Sequence, residues 1–564
     1  MVDNESEIDD PNFFFAKDGK YNAEAELNAT LDAFYNETTF TDDAAGCRFP
    51  ARKAWLSQKL HLKNLPQLEC KEYNKILKEL SATSATLVFP AAHINSPASM
   101  FGHTFLRINS KYHSRLLSYA INYAADADPK KENGITFAIK GLFGGYFGKY
   151  SLLPYYEKLK EYRDTEKRDI WEYDLNLSQE EVAKMVRHIW ELNGTHSYYY
   201  FFTENCSYNM LWLMEIARPS VHLREHFTYE VIPLESVFAV EQEGLITHHH
   251  YRASKRTKLL MYEDALNPKY IPLIKTLQKS DNARIEILQD NTIPLQQKQF
   301  IFEAAIEYLQ YSYAKNSMDK QTYTQRFYQL SQARAQLKRG KILHKQDPQD
   351  PLLGHRAIKL SFGVEKTKGK KTNLIVGFRP AYHTLQDPQY GFLRGTQIEF
   401  LNTQIAINED EIQLKELTIL SIASIAQRDT LFNPFSWRTH FGFDEDSLDD
   451  DANFIATLGA GLSWGNKHGY IYVMADPFYY INTNDGGIGA SVGFVIDHYR
   501  SLIVTAQATQ RLYIDGTDQT LIQTNLGVNM TQNLQLKLQY HFRQKQLHTR
   551  YNQEQGMLLL DYFF

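Results

Sequence analysis

The sequence predicts an α+β chain whose C-terminal part, residues 351–564, is an all-β antiparallel transmembrane barrel of about twelve strands. Three observations carry this expectation. From about residue 357 onward, segments of roughly ten residues alternate with period two and are separated by turn residues. Tyrosine (36) and phenylalanine (33) are abundant although the mean hydropathy is only −0.45, as expected when lipid-facing residues are diluted by lumen-facing polar ones. The chain ends "MLLLDYFF", where Leu558, Leu560, Tyr562 and Phe564 alternate up to a terminal aromatic, like the closing strand of a bacterial outer-membrane barrel. A large soluble β-domain is the alternative; the repetition of the pattern and the glycines of "ATLGAGLSWG" and "GGIGASVGFV" favour the barrel.

With 564 residues the chain is too long for one core, and its length suggests roughly three or four domains. The 43% apolar content argues against disorder, and a net charge of −5 offers no basic surface for nucleic acid. There is no run of about 18–20 apolar residues for a membrane-spanning helix. The acidic opening "MVDNESEIDDPNFFFAKDGK" lacks the apolar region of a secretory signal. Together with the barrel, this reads as a mature form whose signal has been removed, placed in the bacterial outer membrane.

Residues 1–80 read as a small helical cap. They hold Cys47 and Cys70, which either pair or are two buried thiols; closing a loop of about 24 residues contributes about 3 kcal/mol in the chain-entropy model. In either case the odd cysteine is Cys206. Residues 81–235 carry the chemistry. Within them "SQEEVAKMVRHIWELNG" is a scaffold helix over 178–193, with Ser178 and Glu181 as a capping box and Gly194 as its stop. Residues 236–350 read as a helical connector, with helical spacing in "PLQQKQFIFEAAIEYLQYSY" and "YTQRFYQLSQARAQLKRG" up to a stop at Gly340. His248, His249 and His250 read as a solvated loop, since adjacent histidines point in different directions and no metal-ligating partner stands at the right spacing. In the barrel, strands are expected to begin near residues 357, 373, 394, 411, 434, 452, 469, 486, 501, 519, 532 and 555. The acidic "FGFDEDSLDDDANF" (441–454) suits an exposed loop.

A thiol nucleophile needs a base, a field that favours thiolate, and donors for an oxyanion. In "YYYFFTENCSYNMLWLMEIA", Thr203 or Asn205 caps a helix that places Cys206 in its first turn, where the dipole lowers a thiol pKa. In "GHTFLRI", His103, Phe105 and Arg107 share a strand face. If the hairpin turns near residues 112 and 113, Asn122 of "RLLSYAINYA" lies opposite His103 and orients its imidazole. A slip of one residue would turn Asn122 away. Without further support, Cys206 and His103 read more readily as a core thiol and a satisfied strand histidine than as a dyad. His93 and His196 are read as structural.

The segments "SPASMFGHTFLRI", "SYAINYAA", "PYYEKLKEYRDTEKRDIWEYDLNLS" and "YYYFFTENCSYNMLWLMEIARP" closely resemble the Lnb N-terminal periplasmic domain family, over roughly residues 80–235. The resemblance implies a circularly permuted papain-like fold related to NlpC-type peptidases, with a strand histidine preceding a helix-borne cysteine. It implies lipoprotein N-acylation: a phospholipid acyl chain passes to Cys206 as a thioester and then to the α-amine of a lipoprotein, without a cofactor. His103 would be the base and Asn122 the orienting residue. Tyr123, Tyr146, Glu204 and Asn205 are candidates for lining the substrate site. Arg107, Arg163, Lys167 and Arg168 are candidates for a phosphate headgroup, although "EYRDTEKRD" reads equally as a solvated face. The aromatic runs "YYYFF" and "GLFGGYFGKYSLLPYY" are candidates for an acyl groove, against the plainer reading of core. Two other functions compete: a peptidoglycan or peptide amidase with the same thiol and a polar groove, and a barrel protein whose periplasmic domain only binds a partner.

Overall fold

A computed structural model describes residues 5–91, 101–112, 117–127, 136, 140–141, 143–165, 168–315, 317–340, 343, 349–444, 453–546 and 550–564; side chains 163–165, 444, 498 and 550 are outside this description. His93, Lys167, the Arg163 side chain and the acidic 445–452 connection therefore lie outside the described residues. The chain forms two compact units, Met1–Leu259 with Gln310–Lys320, and Leu260–Leu309 with Gln321–Phe564.

The first unit is built on a seven-stranded antiparallel sheet. Its strands are β1 (Ala82–Pro90), β2 (Phe105–Ser110), β3 (Tyr119–Ala125), β4 (Tyr146–Pro154), β5 (Ile170–Leu175), β6 (Ser197–Tyr199) and β7 (Ile246–Arg252), in the spatial order β6-β4-β3-β2-β1-β5-β7. β1 is buried along most of its length because both its faces are covered. On one face Val88, Phe105, Ala120 and Ile170 pack with Tyr155, Leu159 and Tyr162 of the turn-rich segment after β4. On the other face lie helices Gln179–Glu191 and Cys206–Ala217, which also pack against each other. Helix Gln179–Glu191 starts at the expected capping box and buries Val182, Met185, Val186 and Ile189, a spacing that keeps one apolar stripe on the sheet. Each such side chain stabilises the layer by about 1.5–3 kcal/mol.

The helical cap is part of this unit rather than a separate body. The backbone N–H of Arg52 donates to Glu191 at 2.7 Å, and Trp190 Nε1 donates to the Cys47 carbonyl at 2.9 Å. Cys47 and Cys70 are joined by a disulfide with a Cα–Cα distance of 5.3 Å. The segment before the first helix runs beside β6, where the N–H groups of Asp9 and Asp10 donate to the His196 carbonyl and Asp9 accepts from Tyr198 N. The three consecutive histidines are not in a loop: they lie on the edge strand β7, with His249 against the Tyr173 ring and His250 Nε2 at 2.8 Å from Asp174. Strand pairing with β5 orders them.

The second unit holds helices Leu295–Ala314 (to Leu309) and Lys320–Gln336 and a closed barrel. The unit boundary runs through residues 260–320, and the last helix before the barrel ends at Gln336, ahead of Gly340. Twelve antiparallel strands form the ring, beginning at Lys359, Thr372, Thr396, Ile412, Ser436, Asn453, Gly469, Asp485, Leu502, Asp518, Leu534 and Arg550. Closure comes from pairing of the last strand with the first (Leu558 with Val364) and of the second with the third (Val376 with Ile405). The pattern is inverted relative to a soluble protein: Leu536, Leu538, Tyr540, Leu558, Leu560 and Tyr562 face outward, while Gln535, Lys537, Gln539 and Asp561 are enclosed. After the second strand, residues 380–392 turn into the lumen. There Asp387 bonds Arg379 at 2.6 Å, and Gln386 accepts from Gln535 and Gln539. His355 and His383 stack nearby, their facing nitrogens 3.0 Å apart. A polar cavity of about 400 Å³ remains, lined by Glu399, Arg438, Asp476 and Arg511 among others.

Candidate active site

Cys206 is the first residue of helix Cys206–Ala217. The preceding Asn205 caps the helix, its Oδ1 accepting from Ser207 N (2.9 Å) and Tyr208 N (3.2 Å), and its amide donates to the carbonyls of Phe201 and Val231. All of Asn205's side-chain capacity is spent on backbone, so it positions Cys206 instead of lining a substrate site. A second tie joins the helix to the head of β2, Ser207 Oγ lying 2.8 Å from Thr104 Oγ1.

His103 sits just before β2. Gly102 has φ +100°, and a Cβ there would meet the Phe89 ring at 2.6 Å, so glycine is needed for the chain to present the next residue. His103 Nε2 is 2.8 Å from Asn122 Oδ1. With the amide oxygen accepting, the proton is on Nε2 and Nδ1 is left as the basic nitrogen. The hairpin register differs from the expected one. Leu106 pairs with Ile121 and Arg107 with Ala120, which shifts the two strands by two residues. An even shift keeps Asn122 on the face of His103, and the contact is made diagonally.

Cys206 is 4% exposed. Burial pushes its thiol up, but the charge and hydrogen bond of His103, the Thr104 backbone N–H and the Ser207 hydroxyl outweigh it and bring the thiol down to about 7. Tyr199, at the end of β6, hydrogen-bonds both the thiol and the backbone N–H of Cys206; burial and then the Cys206 charge hold its phenol well above the usual range. Tyr199 stacks on Tyr123, which contacts Tyr150, and Tyr150 Oη bonds Asn209 of the Cys206 helix at 2.8 Å. Sequence reasoning did not single out Tyr199, Thr104 or Ser207. The aromatic run "YYYFF" was the only trace of Tyr199, and nothing distinguishes one tyrosine of that run from the others until β6 pairs with β4.

The other candidates divide. Arg107 is not available to a headgroup: it is 1% exposed, with its guanidinium 2.7 Å from Glu172 and 3.6 Å from Asp174. Arg168 is 2% exposed and donates to the carbonyls of Pro90 and Ala91. Both arginines are structural because β1 and β5 bring acceptors that their own segments lack. Tyr146 is buried on β4, paired with Tyr199 across the strands. Tyr123 is also buried. Glu204 is half-buried two residues before the thiol. Phe101 and Phe202 meet edge to face at 5.8 Å, joining the His103 and Cys206 segments. An apolar pocket of about 220 Å³ lies between helix Gln179–Glu191 and the sheet, lined by Leu77, Ile108, Ile121, Tyr150, Leu152 and Ile189 among others.

Fold and site together define an outer-membrane barrel protein with a periplasmic α+β domain built around a buried thiol. Residues 72–241 match the family model of the Lnb N-terminal periplasmic domain. Residues 2–59, 249–345 and 348–562 match three domains of unknown function, DUF7843, DUF7842 and DUF7840. No curated protein matches the chain. Among solved structures, "KdgM porin" is similar at 10% identity and TM-score 0.24, covering 36% of this chain and 99% of that one. The outer membrane channel DcaP of Acinetobacter baumannii is similar at 9% identity and TM-score 0.20, covering 37% and 96%. The barrel reading rests on ring closure and the apolar exterior, not on these likenesses.

Proposed function

We propose that the chain is a thiol-dependent acyltransferase that moves a phospholipid acyl chain, through a thioester on Cys206, to the N-terminal amine of a lipoprotein. The observation that carries this reading is a buried thiol brought down to about 7 by an imidazole whose other nitrogen is held by Asn122. In the first half-reaction, Nδ1 of His103 takes the Cys206 proton and Sγ attacks the ester carbonyl carbon. The Tyr199 hydroxyl, released from the thiol as the C–S bond forms, donates to the developing oxyanion at the positive end of the helix. The lysophospholipid leaves with the proton from His103. In the second, an amine attacks the thioester, the C–S bond breaks, and His103 returns a proton to sulfur. The edge-to-face pair of Phe101 and Phe202, which joins the His103 and Cys206 segments, favours an acyl chain over a muropeptide. The resemblance to the Lnb family supplies the lipoprotein as acceptor.

Intact-mass analysis after incubation with phospholipid vesicles tests the reading. The expected result is a hydroxylamine-labile acyl adduct on the wild type, absent from Cys206→Ser and His103→Ala. No adduct and no phospholipid consumed, even with a diacylated lipopeptide present, would move the assignment to an amidase or a binding module.

A further inference from the structure

Three side chains able to ligate a metal converge where the inward segment of the barrel meets the chain entering its first strand. A nitrogen of His355, a nitrogen of His383 and a carboxylate oxygen of Asp387 lie within 4.8 Å of one another, and all three residues are buried. Packing fixes the rings. His355 lies 4.2 Å from Phe563 and 4.5 Å from Phe392 between ring centroids, and His383 stacks on Phe392 at 4.0 Å.

The surrounding hydrogen bonds decide where the protons are. His355 Nδ1 is 2.6 Å from the Arg356 carbonyl, which can only accept, so Nδ1 carries the proton and Nε2 is bare. His383 presents Nδ1 to that bare nitrogen at 3.0 Å, which leaves its Nε2 for the hydrogen bond with Gln389. Both amide N–H groups of Gln389 are spent on the Thr384 and Asp387 carbonyls at 2.9 Å, so its oxygen meets the ring and Nε2 carries the proton. His383 Nδ1 is then bare as well. Two lone pairs face each other in an enclosed place, and a cation between them reconciles them. Asp387 is prepared in the same manner. Its Oδ2 accepts from Arg379 at 2.6 Å and from Thr384 N at 2.8 Å, while Oδ1 has no hydrogen bond among the described residues. Lys537 stands 3.8 Å from Oδ1 and is paired at 2.6 Å with Asp561. Each candidate ligand atom is the one left over once the outer bonds are made, which is how histidine and carboxylate ligands are oriented in metal sites.

We propose that His355, His383 and Asp387 bind a divalent metal ion of the zinc class, which ties the inward segment 380–392 to the seam of the barrel. Two imidazoles and a carboxylate are a donor set that Zn²⁺ accepts, with a fourth position left to water. At a Zn–N distance of about 2.0–2.1 Å, two tetrahedral nitrogens stand roughly 3.3 Å apart, so the ring pair opens slightly and Asp387 closes on it. The seam is adjacent: Lys359 of the first strand pairs with Phe563 of the last, and Phe564 N donates to the Ile358 carbonyl at 2.9 Å. A proton is the competing cation. It would place an imidazolium beside Arg379 and Lys537 without engaging Asp387, whereas a divalent ion bonds both nitrogens and the carboxylate. This site belongs to the second unit and is independent of the acyl-transfer reading.

The test uses the full chain, purified in detergent without a polyhistidine tag, stripped with a chelator and titrated with Zn²⁺ against a chromogenic chelator. One Zn²⁺ per chain is expected, and Co²⁺ in its place should give the visible absorption of a four-coordinate site. His355→Gln and His383→Gln should each weaken binding by about 100-fold or more, since even the outer hydrogen bonds of a ligand are worth about 10–100-fold. Gel mobility checks that the barrel stays folded. His248→Ala, His249→Ala and His250→Ala together, on the edge strand of the first unit, should leave the zinc in place, which keeps the test decisive if the lumen variants do not fold. No zinc on the folded wild type would overturn the site and leave a proton shared between the rings. Zinc that survives both lumen variants would also overturn it, as would zinc lost with the edge-strand histidines or with Cys206→Ser.

Discussion

At the scale of single residues, Cys206 is a contest between burial and a neighbouring imidazole. A thiol 4% exposed should resist ionisation, and His103 reverses that. The rate of alkylation by iodoacetamide should therefore rise through an inflection near pH 7 in the wild type. In His103→Ala burial is left largely unopposed, and the inflection should move above the free-thiol value of about 8.5. An unchanged inflection would mean that the helix terminus and its hydrogen bonds, not His103, set the thiolate. That Cys206, His103 and Asn122 come together was legible in the sequence because each has a local signature: a cap ahead of a helix, a glycine ahead of a strand, an asparagine on the facing strand. Tyr199 was not, because its approach to sulfur depends on β6 lying beside β4, which no local pattern announces.

The elements show where sequence reading reaches its limit. Arg107 has the strand position of a site residue, two residues beyond Phe105 on the face of His103, and a basic residue near a lipid site invites a phosphate. Its partner Glu172 lies on β5, which reaches it only across β1. Sheet order is a tertiary fact, so the ion pair is invisible in either segment. The pair is fully enclosed, and Glu172 also meets Arg252 and Tyr155. Arg107→Ala is therefore expected to destabilise the domain by roughly 3–5 kcal/mol, because it leaves charge buried without its partner. Thermal melting checks this. A variant that melts normally but loses phospholipid affinity would restore the headgroup role. The hairpin makes the same point in reverse: the register differs by two residues, yet Asn122 still meets His103, because parity decides the face and only the turn decides the offset.

Across the whole molecule, the barrel was the most legible part, since a lipid exterior writes its alternation into every strand and each strand start falls within a few residues of its expected place. The contents of its lumen were not, because an inward segment is polar and irregular like any surface loop. Residues 380–392 are held there by a charge network in which Asp387 is 0% exposed and faces Arg379 at 2.6 Å and Lys537 at 3.8 Å, with Asp561 2.6 Å from Lys537. Asp387→Asn removes one negative charge, leaving Arg379 without its carboxylate and the buried Lys537 and Lys359 sharing Asp561 (2.6 and 3.8 Å), at a cost of roughly 3–5 kcal/mol to the network. That is comparable to the whole stability margin of a small fold, so the segment should leave the lumen before the ring of strands opens. In planar bilayers the wild-type barrel should pass little current, and Asp387→Asn should show larger and more frequent openings at unchanged barrel content by gel mobility. Identical current traces would place the seal in the Gln386 contacts with Gln535 and Gln539. A wild type that already conducts freely would mean that the remaining cavity of about 400 Å³ is continuous with both mouths, and that the barrel is a channel as well as an anchor.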